Sequence, residues 1–509
     1  CAKYFNTQVF HWDEENVMSM KFHQDTSSGL CNGKFQQFFD DIKVVRKPYG
    51  LKRDVEYACK IKLVEGVRAL LIHRSYDKFR KDMGDIINTI ILKPEFFNAF
   101  TAGAMNQKDR EDMYDKCREF FIPFMLQYII DSILQTSRHH VEQNDLIRIG
   151  TTWDFGGAQE FKEYYRYGDE QFEISEGDFK SLDTTIKKNL IELYATGSRV
   201  YIDFKRMSKD DVLIYDCLSR WSAEKLAVKV CRITDALWVI MIGILPSGAF
   251  DTSHCGSWIV ALLIWAFIVS MFRHPTKGKM IRVCADNDLI RPGVYGDDHL
   301  ISKPTSVGDV ISETNFASYV NTVHGMLIKS NTIRTSKGLT RLGVNHNVTY
   351  KGAVFLRKYI IDRNQLYDAV SWPKEAAQFV TYRPEQSFWV KVVFGVNRSD
   401  VYGVGAACIA MAYDNGGVCR YVHEYLHYMY CVCRNVTKAD LFAEGVHRAI
   451  LEGKDMTVKK FLCRDGKTLN EITGYFPGLE FLRERQVPIK HPRKQYLPHA
   501  YWKPANLTF

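Results

Sequence analysis

The chain has 509 residues, 46% of them hydrophobic and 13% aromatic, which excludes a disordered or low-complexity polypeptide and leaves room for more than one hydrophobic core. Its 68 Lys and Arg against 59 Asp and Glu leave a formal charge of +9, enough for an electrostatic track along a polyanion but not diagnostic of one. The 13 cysteines are odd in number and include no CxxC pair, which argues against a disulfide framework or a zinc knuckle and for a reducing, intracellular compartment.

The first block rich in spaced carboxylates is "FEISEGDFKSLDTTIKKNLIELYATG" at 172–197. Phe172 to Phe179 predicts a strand running into a turn, and from Thr184 the apolar positions Ile186, Leu190, Ile191 and Leu193 take up helical spacing. Asp178 therefore stands at a strand end and Asp183 near a helix start, places that turns and N-caps also favour. Next, a β-branched run from Trp238 to Leu245 stops at Pro246-Ser247-Gly248, and Thr252 opens a long apolar helix. A Ser-Gly loop before a helix lets backbone approach a ligand closely while hydroxyls and free N–H groups face it. Within that helix Trp258 to Phe272 is almost wholly apolar but shorter than the about 20 residues a spanning helix needs, so it predicts a buried core helix rather than a transmembrane segment.

Two acidic clusters follow, Asp286-Asn287 and Asp297-Asp298. The second lies in "RPGVYGDDHLIS", which reads as a β-hairpin with both acids at its tight turn. With Asp178 from a neighbouring strand end, Asp297 and Asp298 can hold two Mg²⁺ ions about 3.5–4 Å apart and clamp the attacking and leaving oxygens of a phosphoryl transfer. Mn²⁺ would substitute, being another hard, oxygen-loving ion. Three acids this close repel one another unless cations neutralise them, which makes a purely structural role costly.

With "DFKSLD", "SGAFDT" and "YGDD" in this order over about 120 residues, the chain resembles the RNA-dependent RNA polymerases of positive-strand RNA viruses, within them the picornavirus-like group. The resemblance implies an α+β right-hand polymerase with an antiparallel palm sheet backed by helices, one of them Thr252 to Phe272. Fingers are expected from 1–165 and an insertion at 196–237, the palm from 166–195 and 238–350, and motif E with a mostly helical thumb from 351–509. Asp178, Asp297 and Asp298 match the metal-binding and catalytic acids, and Asp183, Ser247, Gly248 and Thr252 the nucleotide-binding positions of motifs A and B.

The flanking motifs match residue by residue. "KDREDMYDKCREFF" resembles motif F, where Lys108, Lys116 and Arg118 would neutralise the incoming triphosphate. "DTSSGLCNGKFQQF" resembles motif G, with Thr26, Ser27 and Gly29 guiding the template strand. "AVFLRKYII" resembles motif E, with Phe355, Leu356, Arg357 and Lys358 at a hairpin tip against the nascent strand, gripping phosphates without reading sequence. "HGMLIKSNTIRTSKG" offers Lys329, Arg334 and Lys337 as the motif D general acid, of which Lys329 is favoured.

The implied activity is RNA-templated RNA synthesis from ribonucleoside triphosphates, replicating a viral RNA genome in the host cell cytoplasm within a replication complex. Template and nascent RNA are the partners, and the resemblance admits a protein primer and other viral replication proteins. Two positions depart from the family. Gly256 stands where it usually has Asn, which leaves sugar recognition to Asp183, Ser247 and Thr252, and Pro292 precedes the hairpin turn, tolerable only at a strand's first residue or a bulge. A reverse transcriptase is the nearest alternative, but it typically carries an aromatic side chain where this chain has Asp183, an acceptor for the 2′-hydroxyl. A non-enzymatic RNA-binding structural protein is the other, and it predicts that Asp297→Ala leaves RNA function unchanged. Asp286-Asn287 follows both the Asp178 and the Ser-Gly blocks, the wrong order for a rearranged polymerase, so these two residues read as a turn or cap.

Overall fold

The computed structural model describes residues 9–20, 52–84, 87–94, 117–139, 146–149, 151, 153–232, 237–246, 252–343, 348–383, 401–437, 441–446 and 476–488. Thr26, Ser27, Gly29, Lys108, Lys116, Ser247 and Gly248 lie outside the described residues. In chain order the strands are β1 (Ile87–Pro94), β2 (Cys117–Ile122), β3 (Phe172–Asp178), β4 (Val228–Arg232), β5 (Trp238–Ile242), β6 (Arg291–Tyr295), β7 (Asp298–Pro304), β8 (Arg334–Ser336), β9 (Arg341–Leu342), β10 (Val348–Tyr350), β11 (Val354–Phe355), β12 (Lys358–Asp362) and β13 (Phe379–Tyr382). They assemble into sheets ordered β2-β1-β4-β5, β6-β7-β3-β8, β10-β9 and β11-β12-β13.

The β6-β7-β3-β8 sheet is antiparallel throughout, and its two central strands are buried along nearly their whole length. A strand covered on both faces need not alternate apolar with polar, and β3 carries Glu173 and Glu176 into the interior only because cations meet them there. Lys303 and Lys337 approach Glu173 at 3.5 and 3.9 Å, and Arg334 bonds Glu176 at 2.8 Å. Gly177 is required just after these two acids, since a Cβ at that position would sit 2.4 Å from Glu313 Oε1. Pro292 is the second residue of β6, at the edge of the sheet, where a missing N–H costs no central ladder bond.

The Thr252–Ser270 helix packs on β6 and on the Glu313–His324 helix, and the latter also reaches β3. Ile259, Ile264, Phe267, Val294, Ile301, Phe316 and Val320 close one core between them, each such side chain contributing about 1.5–3 kcal/mol on burial. By length and composition the 252–273 stretch could cross a bilayer, yet 56% of its apolar window is buried inside the protein. The Gly278–Asp286 helix ends where the acidic pair was read as a cap: Asn287 is its C-cap residue and its side-chain amide donates to the Val283 carbonyl at 2.8 Å.

Two further cores flank this one. The Lys52–His73, Met125–His139 and Lys209–Ala227 helices enclose the first around Phe79, Ile130 and Trp221. The Val401–Asn415 and Arg420–Asn435 helices enclose the second with β12 and β13. A late segment ties distant parts together: the Arg485 carbonyl accepts from Phe155 N–H at 2.7 Å and the Gln486 carbonyl from Ala377 N–H at 2.9 Å.

Candidate active site

The pairing register of the central sheet creates the site. Asp178, the last residue of β3, lies directly opposite Asp298, the first of β7. β6 and β7 form a hairpin closed at Tyr295 and Asp298, with Gly296 and Asp297 as its two-residue turn. Gly296 takes φ +62°, the left-handed first position of a type II′ turn, which glycine fills without strain. Its N–H donates to Ser257 Oγ at 2.7 Å, and that hydroxyl donates to the Ser253 carbonyl at 2.6 Å, so the start of the Thr252–Ser270 helix fixes the turn. Phe179 N–H donates to the Asp297 carbonyl at 3.3 Å, which draws the turn against the end of β3.

The carboxylates differ in what they meet. Asp178 Oδ2 is ion-paired with Lys329 Nζ, and the Lys329 N–H donates to the Asp178 carbonyl at 2.9 Å, so lysine and acid are joined through both backbone and side chain. Asp178 Oδ1 is buried and takes no hydrogen bond among the described residues. Asp297 is exposed at the turn as a residue, but desolvation of its carboxyl, together with a hydrogen bond and the like charge from Asp178, pushes it up to about 6. Burial pushes Asp298 up to about 7, against the Leu356 N–H that donates to its Oδ2 at 2.7 Å. Beneath them His299 and Glu313 form a buried pair at 2.8 Å; burial works against the imidazolium, and the Glu313 charge outweighs it and raises the His299 pKa.

This donor set consists of carboxylate oxygens alone, which suits a hard divalent cation. The orphaned Asp178 Oδ1 and the raised protonation of its two neighbours are what an acid cluster short of positive charge should show. The cluster is not a closed cage: among the described residues no group of three or more His, Cys, Asp or Glu side chains is already arranged to hold a metal ion. Asp298 keeps lone pairs for a cation while its Oδ2 accepts from the Leu356 amide.

Asp183 and Thr252 are each held by backbone of the 245–246 segment. The Asp183 carbonyl accepts from Leu245 N–H at 2.7 Å, while its side chain accepts from Thr184 N–H at 3.0 Å. Thr252 opens its helix and donates from Oγ1 to the Pro246 carbonyl at 2.5 Å. At Gly256 a Cβ would touch Leu182 and Leu245 at 3.5 and 3.9 Å, an apolar wall where the family's Asn would stand. Of the three candidate cations near 329–337, Lys329 reaches Asp178, whereas Arg334 and Lys337 are directed to Glu176 and Glu173. Arg118 lies in β2, paired in register with Lys93 of β1, so the stretch from 117 is a strand and not a charged helix face.

Phe355 to Lys358 do form a hairpin tip, with Leu356 and Arg357 both left-handed at φ +54° and +60°. Arg357 is exposed, but Phe355 is buried against Phe161, with the two rings stacked at 5.6 Å. Lys358 differs from the expectation of a phosphate contact: it is buried and its ammonium is 2.8 Å from Asp414, which Arg383 also bonds at 2.7 Å. An acid packed beneath the hairpin captures it.

Several members of the site carry no sequence signal. The backbone amides of Val354 and Leu356, which hold Glu176 and Asp298 at 2.5 and 2.7 Å, belong to residue types that say nothing of their role. Ser257 looked like one small residue in an apolar helix. The Glu176–Arg334 pair, with Glu176 pushed up to about 7 by burial, had as its only clue an acid inside a strand.

No protein-family model matches the chain, and no curated protein matches it in sequence. Solved structures do. One of them, a Sicinivirus 3Dpol RNA-dependent RNA polymerase, is similar in fold over 87% of this chain and 83% of its own, with a TM-score of 0.53 at 12% sequence identity. The fold expected from three short motifs and the fold likeness over 87% of the chain therefore agree.

Proposed function

We propose that the chain is an RNA-directed RNA polymerase that joins ribonucleotides by two-metal nucleotidyl transfer and replicates a viral RNA genome. The observation that carries this reading is the register that sets Asp178 against Asp298, with Asp297 at the adjoining turn and Lys329 paired to Asp178. It is supported by the fold shared with a viral polymerase. In this reading the fingers are 1–165 and 196–237, the palm is 166–195 and 238–350, and motif E and the thumb are 351–509.

Asp178 and Asp297, with Asp298 beside them, would hold two Mg²⁺ ions, which when bound stabilise charge on the attacking and leaving oxygens; Mn²⁺ would serve as well. The residues do the rest. The primer's 3′-oxygen, giving up its proton to water, attacks the α-phosphorus in line as the bond to the pyrophosphate oxygen breaks. Lys329, already at Asp178, supplies the proton the leaving pyrophosphate takes up. Lys108, Lys116 and Arg118 neutralise the triphosphate, and Asp183, Ser247, Gly248 and Thr252 meet the nucleotide and its sugar. Thr26, Ser27 and Gly29 guide the template, and Leu356 and Arg357 lie against the nascent strand, with Phe355 anchoring the tip from inside. Template pairing chooses the base. The setting is a replication complex in the host cytoplasm.

The experiment is synthesis on a defined RNA template, with and without a primer, by the wild type and by Asp297→Ala. Incorporation should disappear in the variant while RNA binding stays. Surviving incorporation would remove the assigned site, and a preference for deoxynucleotides would turn the reading to a reverse transcriptase.

A further inference from the structure

Lys229 is 1% exposed, and its ammonium is spent on three backbone carbonyls. It donates to Leu226 in the turn before β4, and to Gly243 and Ile244 at 2.5 Å each, just past β5. Three N–H donors meet three acceptors, which satisfies a buried ammonium without a counter-charge. Burial lowers its pKa to about 8, so at neutral pH the charged, three-donor form still predominates.

The backbone that Lys229 grips is unusual. Gly243 and Ile244 are both left-handed, at φ +77° and +61°. A Cβ on Gly243 would lie 2.8 Å from the Ile186 carbonyl oxygen, and a β-branched residue such as Ile244 rarely adopts a positive φ at all. This turn aims two successive amides at the segment carrying Asp183: Ile244 N–H donates to the Ile186 carbonyl and Leu245 N–H to the Asp183 carbonyl, each at 2.7 Å. Gly243 N–H closes the other side on the Ala227 carbonyl at 2.8 Å. Strained backbone persists where its surroundings over-determine it, and here the surroundings are the Lys229 ammonium, the 183–186 segment and Ala227.

We propose that Lys229 is a positioning residue for sugar recognition: by holding the Gly243–Ile244 turn it fixes the amide strap that sets the placement of Asp183. The inference rests on the polymerase reading, in which Asp183 accepts from the nucleotide's 2′-hydroxyl. Lys229 itself touches no substrate. Its loss slackens the strap and blunts the distinction between ribose and deoxyribose.

The test uses the full chain on a short RNA primer–template with one templating cytidine, comparing kcat/KM for GTP and for dGTP. Lys229→Met should lower the GTP-to-dGTP selectivity about tenfold, the size of effect a small misplacement produces. The loss should fall on KM for GTP more than on kcat, with RNA affinity unchanged. A merely structural role would lower both nucleotides alike and leave the ratio at its wild-type value, and that result overturns the proposal. Should Lys229→Met fail to fold, Ile244→Gly decides: glycine accepts the same φ freely, the chain keeps Lys229, and the loosened strap should lower the ratio in the same direction. An unchanged ratio there also overturns it. A wild type selective for GTP with equally selective variants removes this inference alone, whereas a wild type that incorporates neither nucleotide removes the polymerase reading with it.

Discussion

Leu356 donates its backbone N–H to Oδ2 of Asp298 across 2.7 Å, tying the tip of one hairpin to the first residue of another strand 58 positions away. Two residues earlier, Val354 N–H does the same to Glu176 at 2.5 Å. The β11–β12 hairpin is thus docked on the central sheet by amides on acids, and both acids are held near neutrality by burial. Any displacement of the hairpin changes what Asp298 can bond.

The tip itself is strained. Leu356 and Arg357 form a two-residue turn with both residues left-handed, a geometry that Asn-Gly fills best. Arg357→Gly should therefore raise stability by up to about 1 kcal/mol, the steric relief exceeding the entropy cost of glycine. Urea denaturation would register it as a higher midpoint at unchanged slope; a lower midpoint would mean that the arginine side chain contributes more than its backbone costs.

The two acidic clusters should separate cleanly. Asp286 is exposed on its helix, 3.7 Å from Arg282, and Asp286→Ala should leave nucleotide incorporation within about twofold of wild type. Asp178→Ala should abolish it, by roughly 10³-fold or more if the acid stabilises the transition state. Single-nucleotide extension measures both, and equal effects from the two substitutions would contradict the site.

The metal-free protein should lose stability as pH rises. Asp297, Asp298 and Glu176 have folded-state pKa values of about 6, 7 and 7, above those of free carboxyls, so the folded chain binds these protons more tightly than the unfolded one. Their cost is absent below about pH 4, accumulates as pH rises from there through 6 to 7, and is complete above that range. Asp298→Asn should cancel part of that cost, on the order of 1–2 kcal/mol at pH 8 after solvent screening. Melting curves at pH 6 and pH 8 in the presence of a chelator compare the slopes; parallel behaviour of variant and wild type would refute the assignment.

Asp414 has the opposite sign. Burial pushes its carboxyl up, but the charges of Lys358 and Arg383 overcome this and hold it down to about 2. The stabilisation is complete above the ordinary carboxylate range and is lost as pH falls toward 2. Asp414→Ala takes the carboxylate away from the buried Lys358 and the half-buried Arg383 and should cost about 3–5 kcal/mol. Chemical denaturation at pH 7 tests this, and a loss under about 1 kcal/mol would show that water reaches the pair.

What could be read in the sequence was what residue type and order encode. The β3 strand, the hairpin turn at Gly296 and the helix opening at Thr252 follow from periodicity and turn chemistry. The structure then brings Asp178, Asp297, Asp298 and Lys329 together. Lys358 was opaque because a cation in a hairpin does not announce the acid 56 residues later that packs under it. The Leu356 amide and the Lys229 tripod were opaque for a deeper reason. Backbone donors and acceptors are the same at every residue, so a site built from them is written only in three dimensions.

The Thr252–Ser270 helix has one more consequence, for synthesis. Its cover includes Val294, Ile301, Phe316 and Val320, all of which leave the ribosome after it. At about 5–20 residues per second the about 50 residues still to come take roughly 3–10 s. For that interval a segment apolar enough for a bilayer has only the part of its cover made before it, Leu182 and the Lys188–Gly197 helix among it. Among the described elements this helix is therefore the one most open to aggregation or mistaken membrane insertion until the strands and helix that follow it are made.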